Sequence, residues 1–111
     1  MTHEILIDAN EQELLEAAFL PPGQHGFLRD QTRELRLKLE AAMKECQKSV
    51  CQSTLVRKAY EDHASDLDLI AAIAAAIPSE VIGSNGIENL FAFAVLVFRS
   101  GISNYCRTQW H

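Results

Sequence analysis

Residues 90–101, LFAFAVLVFRSG, decide the fold. Leu90 to Phe98 carry no polar side-chain atom, and Arg99 then interrupts the run. A membrane span needs roughly 18 or more apolar residues in succession. This stretch is too short for one. The other apolar run, LDLIAAIAAAI (67–77), is separated from it by the polar, breaker-rich PSEVIGSNGIEN (78–89). The segment therefore reads as a helix of a packed core. At about 100° per residue its main face holds Ile87, Leu90, Phe91, Ala94, Val95, Phe98, Ile102 and Tyr105. Gly101 lies on that face, where it admits a neighbour closely or bends the helix. Phe93 and Leu96 point away from the stripe, and Val97 sits at its edge. A helix apolar all round is enclosed on all sides. Two placements follow. Either this is the central helix of a monomer, covered on its back by Leu14, Leu15 and Phe19, or its back is an oligomer interface. The expectation adopted is a homodimer whose interface includes Phe93, Leu96 and Val97, because symmetric self-association commonly covers such a surface.

Working outward, the remainder of the chain is helical in pattern. Asn10 with Glu13 forms a capping box ahead of a short helix, and Leu14, Leu15 and Ala18 share a face of it. Pro21 and Pro22 end that helix by removing a donor and restricting the preceding residue. The longest element is expected from about 27 to 50, with Leu28, Leu35, Leu39, Ala42, Met43, Cys46 and Val50 in one stripe. The i,i+4 pairs Glu34–Lys38 and Glu40–Lys44 lie on its solvated side. Beyond Val50 the stripe loses phase, since its continuation would centre on Arg57. A kink or break is expected near 51–54, with Ser53 able to cap a new start. Ser65 with Asp68 caps the next helix, whose inward side would be Leu67, Ile70, Ile73, Ala74 and Ile77. Asn85, with Glu88 in the reciprocal position, is expected to cap the last helix, about 86–105. The fold class is thus all-α: a single domain, 1–111, built as a compact bundle of four to five helices. Residues 1–9 read as a flexible or extended arm, and 106–111 as a frayed end, with Trp110 able to fold back.

The chain has 111 residues, is 48% hydrophobic and 23% charged, and carries a net charge of −5. That balance argues against nucleic acid and anionic lipid as partners, because both select clusters of Lys and Arg. The basic residues here are dispersed. Three cysteines and charge early in MTHEILIDANEQ argue for a reducing compartment, so the expected location is cytoplasmic, with Cys46, Cys51 and Cys106 all free thiols.

Motifs for chemistry are sparse. There is no CxxC, HExxH or HxH. A Cys46/Cys51/His63 zinc site requires a helix break near residue 50. Ser84 in IGSNGI lacks the strand that precedes a nucleophile elbow, and capping accounts for Ser84 and Asn85. The same loop offers amides to an anion only if they stay free. The densest polar group is Glu61, Asp62, Asp66 and Asp68 around His63. It suits a divalent metal or acid–base work, although helix-end preferences already account for Asp66 and Asp68. No catalytic, cofactor or metal residues are assigned. The functional expectation is a protein–protein interaction module, an adaptor or regulatory subunit. The alternatives are a metal-dependent enzyme at the acidic cluster and an acidic inhibitor or immunity-type protein that binds a basic partner.

Overall fold

The structure is a computed structural model that describes residues 7–21 and 31–110. Seven helices lie among those residues: α1 (Glu11–Phe19), α2 (Gln31–Cys51), α3 (Thr54–Glu61), α4 (Asp66–Ala76), α5 (Ser79–Ser84), α6 (Leu90–Arg99) and α7 (Ile102–Tyr105). The all-α expectation holds. The helices are more numerous than four or five because a short helix forms after Pro78 and the expected last helix is divided in two.

Local chemistry sets most boundaries. The Asn10 side chain accepts from Glu13 N at 2.8 Å and donates to the Glu13 carboxylate at 2.7 Å. Leu20, which precedes Pro21, is extended (φ −114°, ψ 142°), as a residue before proline must be, and α1 stops there. The break expected near 51–54 falls at Gln52–Ser53, and Ser53 Oγ accepts from Val56 N at 3.3 Å. Ser65 caps α4 by accepting from Asp68 N at 3.2 Å. Helices α3 and α5 end alike. His63 (φ 53°) and Gly86 (φ 64°) adopt the left-handed conformation just past each helix. The next amide in each case reaches back five residues, Ala64 N to Ala59 O (2.9 Å) and Ile87 N to Ile82 O (3.0 Å). This is the Schellman arrangement, which satisfies the orphan carbonyls of a helix end.

The last helix departs from expectation. Asn89, not Asn85, caps α6 and accepts from Ala92 N at 3.0 Å. Asn85 ends the preceding helix instead. Gly101 takes φ 89°, which a residue with a Cβ rarely adopts, and this divides the expected 86–105 helix into α6 and α7.

Helix α6 lies between α1 and α4, and α2 runs against α1, α3, α4 and α5. Six consecutive residues of α6, Ala92 to Val97, are buried, which encloses this segment on every side. Phe93 meets Phe19 of α1 edge-on, with centroids 6.1 Å apart. The Ala18 carbonyl accepts from both Glu88 N (2.6 Å) and Asn89 N (3.3 Å), so the end of α1 fixes the entry to α6. The α2 stripe buries Leu35, Ala42, Cys46 and Val50, while Leu39 and Met43 are half-buried. Leu28 lies outside the described residues. Neither Glu34–Lys38 nor Glu40–Lys44 closes. The ion pairs among the described residues are Arg36–Glu11 and Arg57–Glu61, both well exposed and so worth little. On α4, Leu69 replaces Leu67 on the inward side, and Leu67 is 40% exposed.

The cysteines also depart from expectation. Cys51, at the end of α2, and Cys106, after α7, form a disulfide with Cα atoms 5.3 Å apart, and only Cys46 is a free, buried thiol. The two partners lie 55 residues apart in the chain, a pairing that counting cysteines does not reveal. Residues 106–110 are consequently tied down rather than frayed. Gln47 Nε2 donates to Tyr105 O (2.6 Å), the Tyr105 hydroxyl donates to Met43 O, and Trp110 Nε1 donates to Cys51 O (2.6 Å). The Trp110 ring packs against Tyr60, centroids 5.2 Å apart, with the Arg57 guanidinium 5.9 Å from its centre. Of the expected arm, residues 1–6 lie outside the described residues. Ala9 is buried, and Ile7 O accepts from Arg99 Nη2 at 2.6 Å.

Candidate functional site

The expected interface residues are inside the molecule. Phe93 and Val97 are fully buried, and Leu96 is 5% exposed. Helix α1 packs on α6 with Phe19 against Phe93, and its Leu14 and Leu15 are fully buried, as the competing monomer requires. The dimer expectation thereby loses the surface on which it rested. Leu96 alone reaches a surface opening, a cleft of about 380 Å³ lined by Glu11, Leu39, Met43, Arg99 and Ser100. Its polar groups are already engaged. Glu11 takes both nitrogens of an Arg36 fork at 3.0 and 3.2 Å, Arg99 donates to Ile7 O, and Ser100 Oγ donates to Val97 O at 2.6 Å.

The acidic group around His63 is spread along two helix ends. Glu61 bonds Arg57 Nε at 2.9 Å, and Asp62 ends α3. Asp66 and Asp68 occupy the first turn of α4, where the helix dipole favours them. That preference does not extend to Asp62, which sits at the negative end of α3. His63 serves as the left-handed residue of the α3 cap. Among the described residues no three His, Cys, Asp or Glu side chains gather as a metal site. Cys51 is consumed by its disulfide, so the Cys46/Cys51/His63 triad does not form. The IGSNGI loop likewise lacks free amides for an anion: those of Gly86, Ile87, Glu88 and Asn89 all donate to backbone carbonyls.

Among the described residues, Cys46 and Tyr105 form a part-buried polar pair with displaced titration. The thiol lies 3.5 Å from the phenol oxygen. Burial pushes the Cys46 thiol up from its ordinary value, against smaller opposing hydrogen bonds. Burial, then the Cys46 contact, pushes the Tyr105 phenol up as well. Both groups are held neutral, which suits a structural pair and not a nucleophile, since the thiolate is the reactive form.

What remains is a groove of about 290 Å³ between α3 and α4, lined by Leu55, Lys58, Ala59, Asp62, Ala64, Asp68 and Ala72. Leu55 is 64% exposed at its mouth, although its neighbour Val56 is fully buried. Four apolar side chains form the walls, and one lysine and two aspartates form the rim. Beyond the loss of phase after Val50, sequence periodicity gave no indication of this surface. The available signal was α4, which carries no charged side chain between Asp68 and Ile77. Ala72 of that helix lines the groove, while Ala71 and Ala75 face water.

No helix among the described residues is long and apolar enough to cross a membrane. No protein-family model, curated protein or solved structure matches the chain.

Proposed function

We propose that this chain is a helical protein–protein interaction module that receives an apolar, positively flanked segment of another protein in the groove between α3 and α4. The observation that carries the reading is Leu55, a large apolar side chain 64% exposed beside a groove walled by Ala59, Ala64 and Ala72. Clustering of apolar groups at a concave surface is what distinguishes an interaction site from scattered exposed leucines. The charges around the groove argue for the sign of the partner. Asp62 and Asp68 line it beside a single cation, Lys58, and the chain as a whole carries −5. A second copy would set these carboxylates against their own counterparts, so a basic partner fits better than self-association. This joins the adaptor expectation to that of an acidic protein with a basic target. The cytoplasmic expectation rested on the cysteine count and on the early charge of the chain, and the Cys51–Cys106 bridge speaks against the first of these, since such bridges persist in oxidising compartments.

The test is affinity capture from the native source with the intact chain and with Leu55→Asp, each checked by circular dichroism for an unchanged fold. A single basic protein retained by the intact chain, lost with Leu55→Asp and weakened as salt is raised, is the expected result. Recovery of the same proteins by both chains would refute the reading.

A further inference from the structure

We propose that Asn85 is a site of spontaneous deamidation, and that the carboxylate formed there unfastens α5 from α2. Asparagine followed by glycine is the pairing most open to this reaction, because no side chain on the following residue hinders its backbone nitrogen. Gly86 is solvent-exposed, and a Cβ built on it would meet nothing within 4 Å, so the approach is open on that side. The nitrogen of Gly86 loses its proton and bonds to the side-chain carbonyl carbon of Asn85. The Cγ–Nδ2 bond breaks, ammonia leaves, and a five-membered succinimide remains. Water then adds to one of its two carbonyls and the ring C–N bond at that carbon breaks, giving aspartate or isoaspartate. The net change is amide plus water to carboxylate plus ammonium, with no oxidant or reductant involved.

The surroundings of Asn85 make the product consequential. Its Nδ2 donates to Glu45 Oε2 (2.8 Å) and to Val81 O (2.8 Å), with Ser84 Oγ at 3.2 Å. Ser84 Oγ also reaches Glu45 Oε1, at 3.3 Å. One carboxylate on α2 thus holds the end of α5, a six-residue helix with no side-chain hydrogen bond at its start. Once the amide nitrogen becomes an oxygen, a carboxylate faces the Glu45 carboxylate and a carbonyl, with no proton to share. Like charges at hydrogen-bonding distance repel. The isoaspartate product adds a backbone atom inside the Schellman turn and displaces the Ile87 N to Ile82 O bond as well.

The same contacts set the rate. Attack requires the amide to turn toward Gly86 N, and Glu45 holds it elsewhere. Gly86 N is itself engaged with Gly83 O, at a long 3.4 Å. Reaction therefore proceeds from locally opened molecules, and the population of those is governed by the Glu45 clamp. The other asparagines, Asn10, Asn89 and Asn104, precede Glu11, Leu90 and Tyr105 and serve as internal controls.

The experiment incubates the intact chain, Glu45→Ala and Glu45→Gln at mildly alkaline pH and 37 °C for several weeks, beside the same chain in denaturant. Peptide mapping locates any one-dalton gain and distinguishes isoaspartate. The gain is expected at Asn85 and not at the three controls, fastest in denaturant, and several-fold faster in both Glu45 variants than in the intact chain. In parallel, Asn85→Asp should melt a few degrees below the intact chain, and adding Glu45→Gln to it should restore most of the loss. The proposal is overturned if Asn85 stays intact in the folded Glu45 variants while the denatured chain converts. It is equally overturned if those variants convert no faster than the intact chain, or if Asn85→Asp melts no lower.

Discussion

The Cys51–Cys106 bridge provides the most demanding quantitative test of the fold. Its partners are 55 residues apart, so an unfolded chain that keeps the bridge is confined to a loop holding half the molecule. In the chain-entropy treatment a loop of that length stabilises the native state by about 4 kcal/mol at 25 °C. Domains of this size are stable by about 5–15 kcal/mol in all, so the bridge accounts for a large share. The perturbation is Cys51→Ala with Cys106→Ala, and separately the intact chain under a thiol reductant. In the folded state the terminal segment keeps its other ties, from Tyr105 to Met43, Gln47 to Tyr105 and Trp110 to Cys51. The loss should therefore fall mainly on the unfolded side, leaving the fold intact and less stable. With urea m-values of about 1–3 kcal/mol/M, the unfolding midpoint should drop by about 1.3–4 M. Thiol titration supplies the second arm. The native oxidised protein should show no fast-reacting thiol, because Cys46 is buried. Denaturation without reductant should reveal one thiol, and denaturation with reductant three. Three thiols in the freshly purified, unreduced and denatured protein would refute the bridge. Coincident urea curves for the bridged and alanine forms would refute the energetic reasoning.

The two left-handed caps make a matched pair: His63→Gly should stabilise by about 1 kcal/mol and Gly86→Ala should destabilise by about the same, both read from urea melts, because only the backbone penalty changes sign. Phe93→Ala should cost about 3–5 kcal/mol, as a fully buried aromatic packed on Phe19 does, without altering the mass seen by light scattering. A dimer that dissociates in this variant would restore the interface expectation. The contribution of Cys46 and Tyr105 to stability should be level well below pH 9 and fall as the pH rises through and above it. Cys46 and Tyr105 start from ordinary values of 9.0 and 10.0 and are raised in the fold, so the unfolded chain releases these protons first as pH rises. Tyr105→Phe should flatten part of that decline, and an equal decline in the variant would assign it elsewhere.

Features set by neighbouring residues were legible in the sequence, and features set by distant ones were not. The α1 cap at Asn10, the stop before Pro21, the Ser53 break and the Ser65 cap each depend on side chains within a few positions, and each lies where the pattern put it. Asn85 and Asn89 are equally good cap residues by type. The choice between them is made by the Ala18 carbonyl, which takes the amides of Glu88 and Asn89 and so starts α6 at Leu90. Periodicity alone could not tell whether the back of α6 meets α1 or a second chain, because both supply the same apolar surroundings. The disulfide was illegible for the same reason: Cys46 and Cys51 are close in sequence, yet Cys106 is the residue that folding brings to Cys51.

The apolar surplus noticed on α6 is real, but the structure exposes its counterpart elsewhere. Helix α4 packs Leu69, Ile70 and Ile73 inward and leaves Ala71 and Ala75 facing water. Alanine on a solvated face has a sufficient local explanation, since it is the best helix former and costs little side-chain entropy. That explanation does not extend to Leu55 or Leu67, because a lysine or glutamine would serve the helix nearly as well and hydrate better. Isolated exposed leucines are ordinary on protein surfaces. Leu37, 58% exposed on the outer side of α2 away from either opening, is of that kind. Leu55 differs in standing at the mouth of a groove whose other walls are Ala59, Ala64 and Ala72. Its rim holds Asp62, at the end of α3 where the helix dipole opposes a negative charge. Helix stability explains neither the leucine at the mouth nor the aspartate on the rim. A partner that brings apolar and basic groups together would account for both.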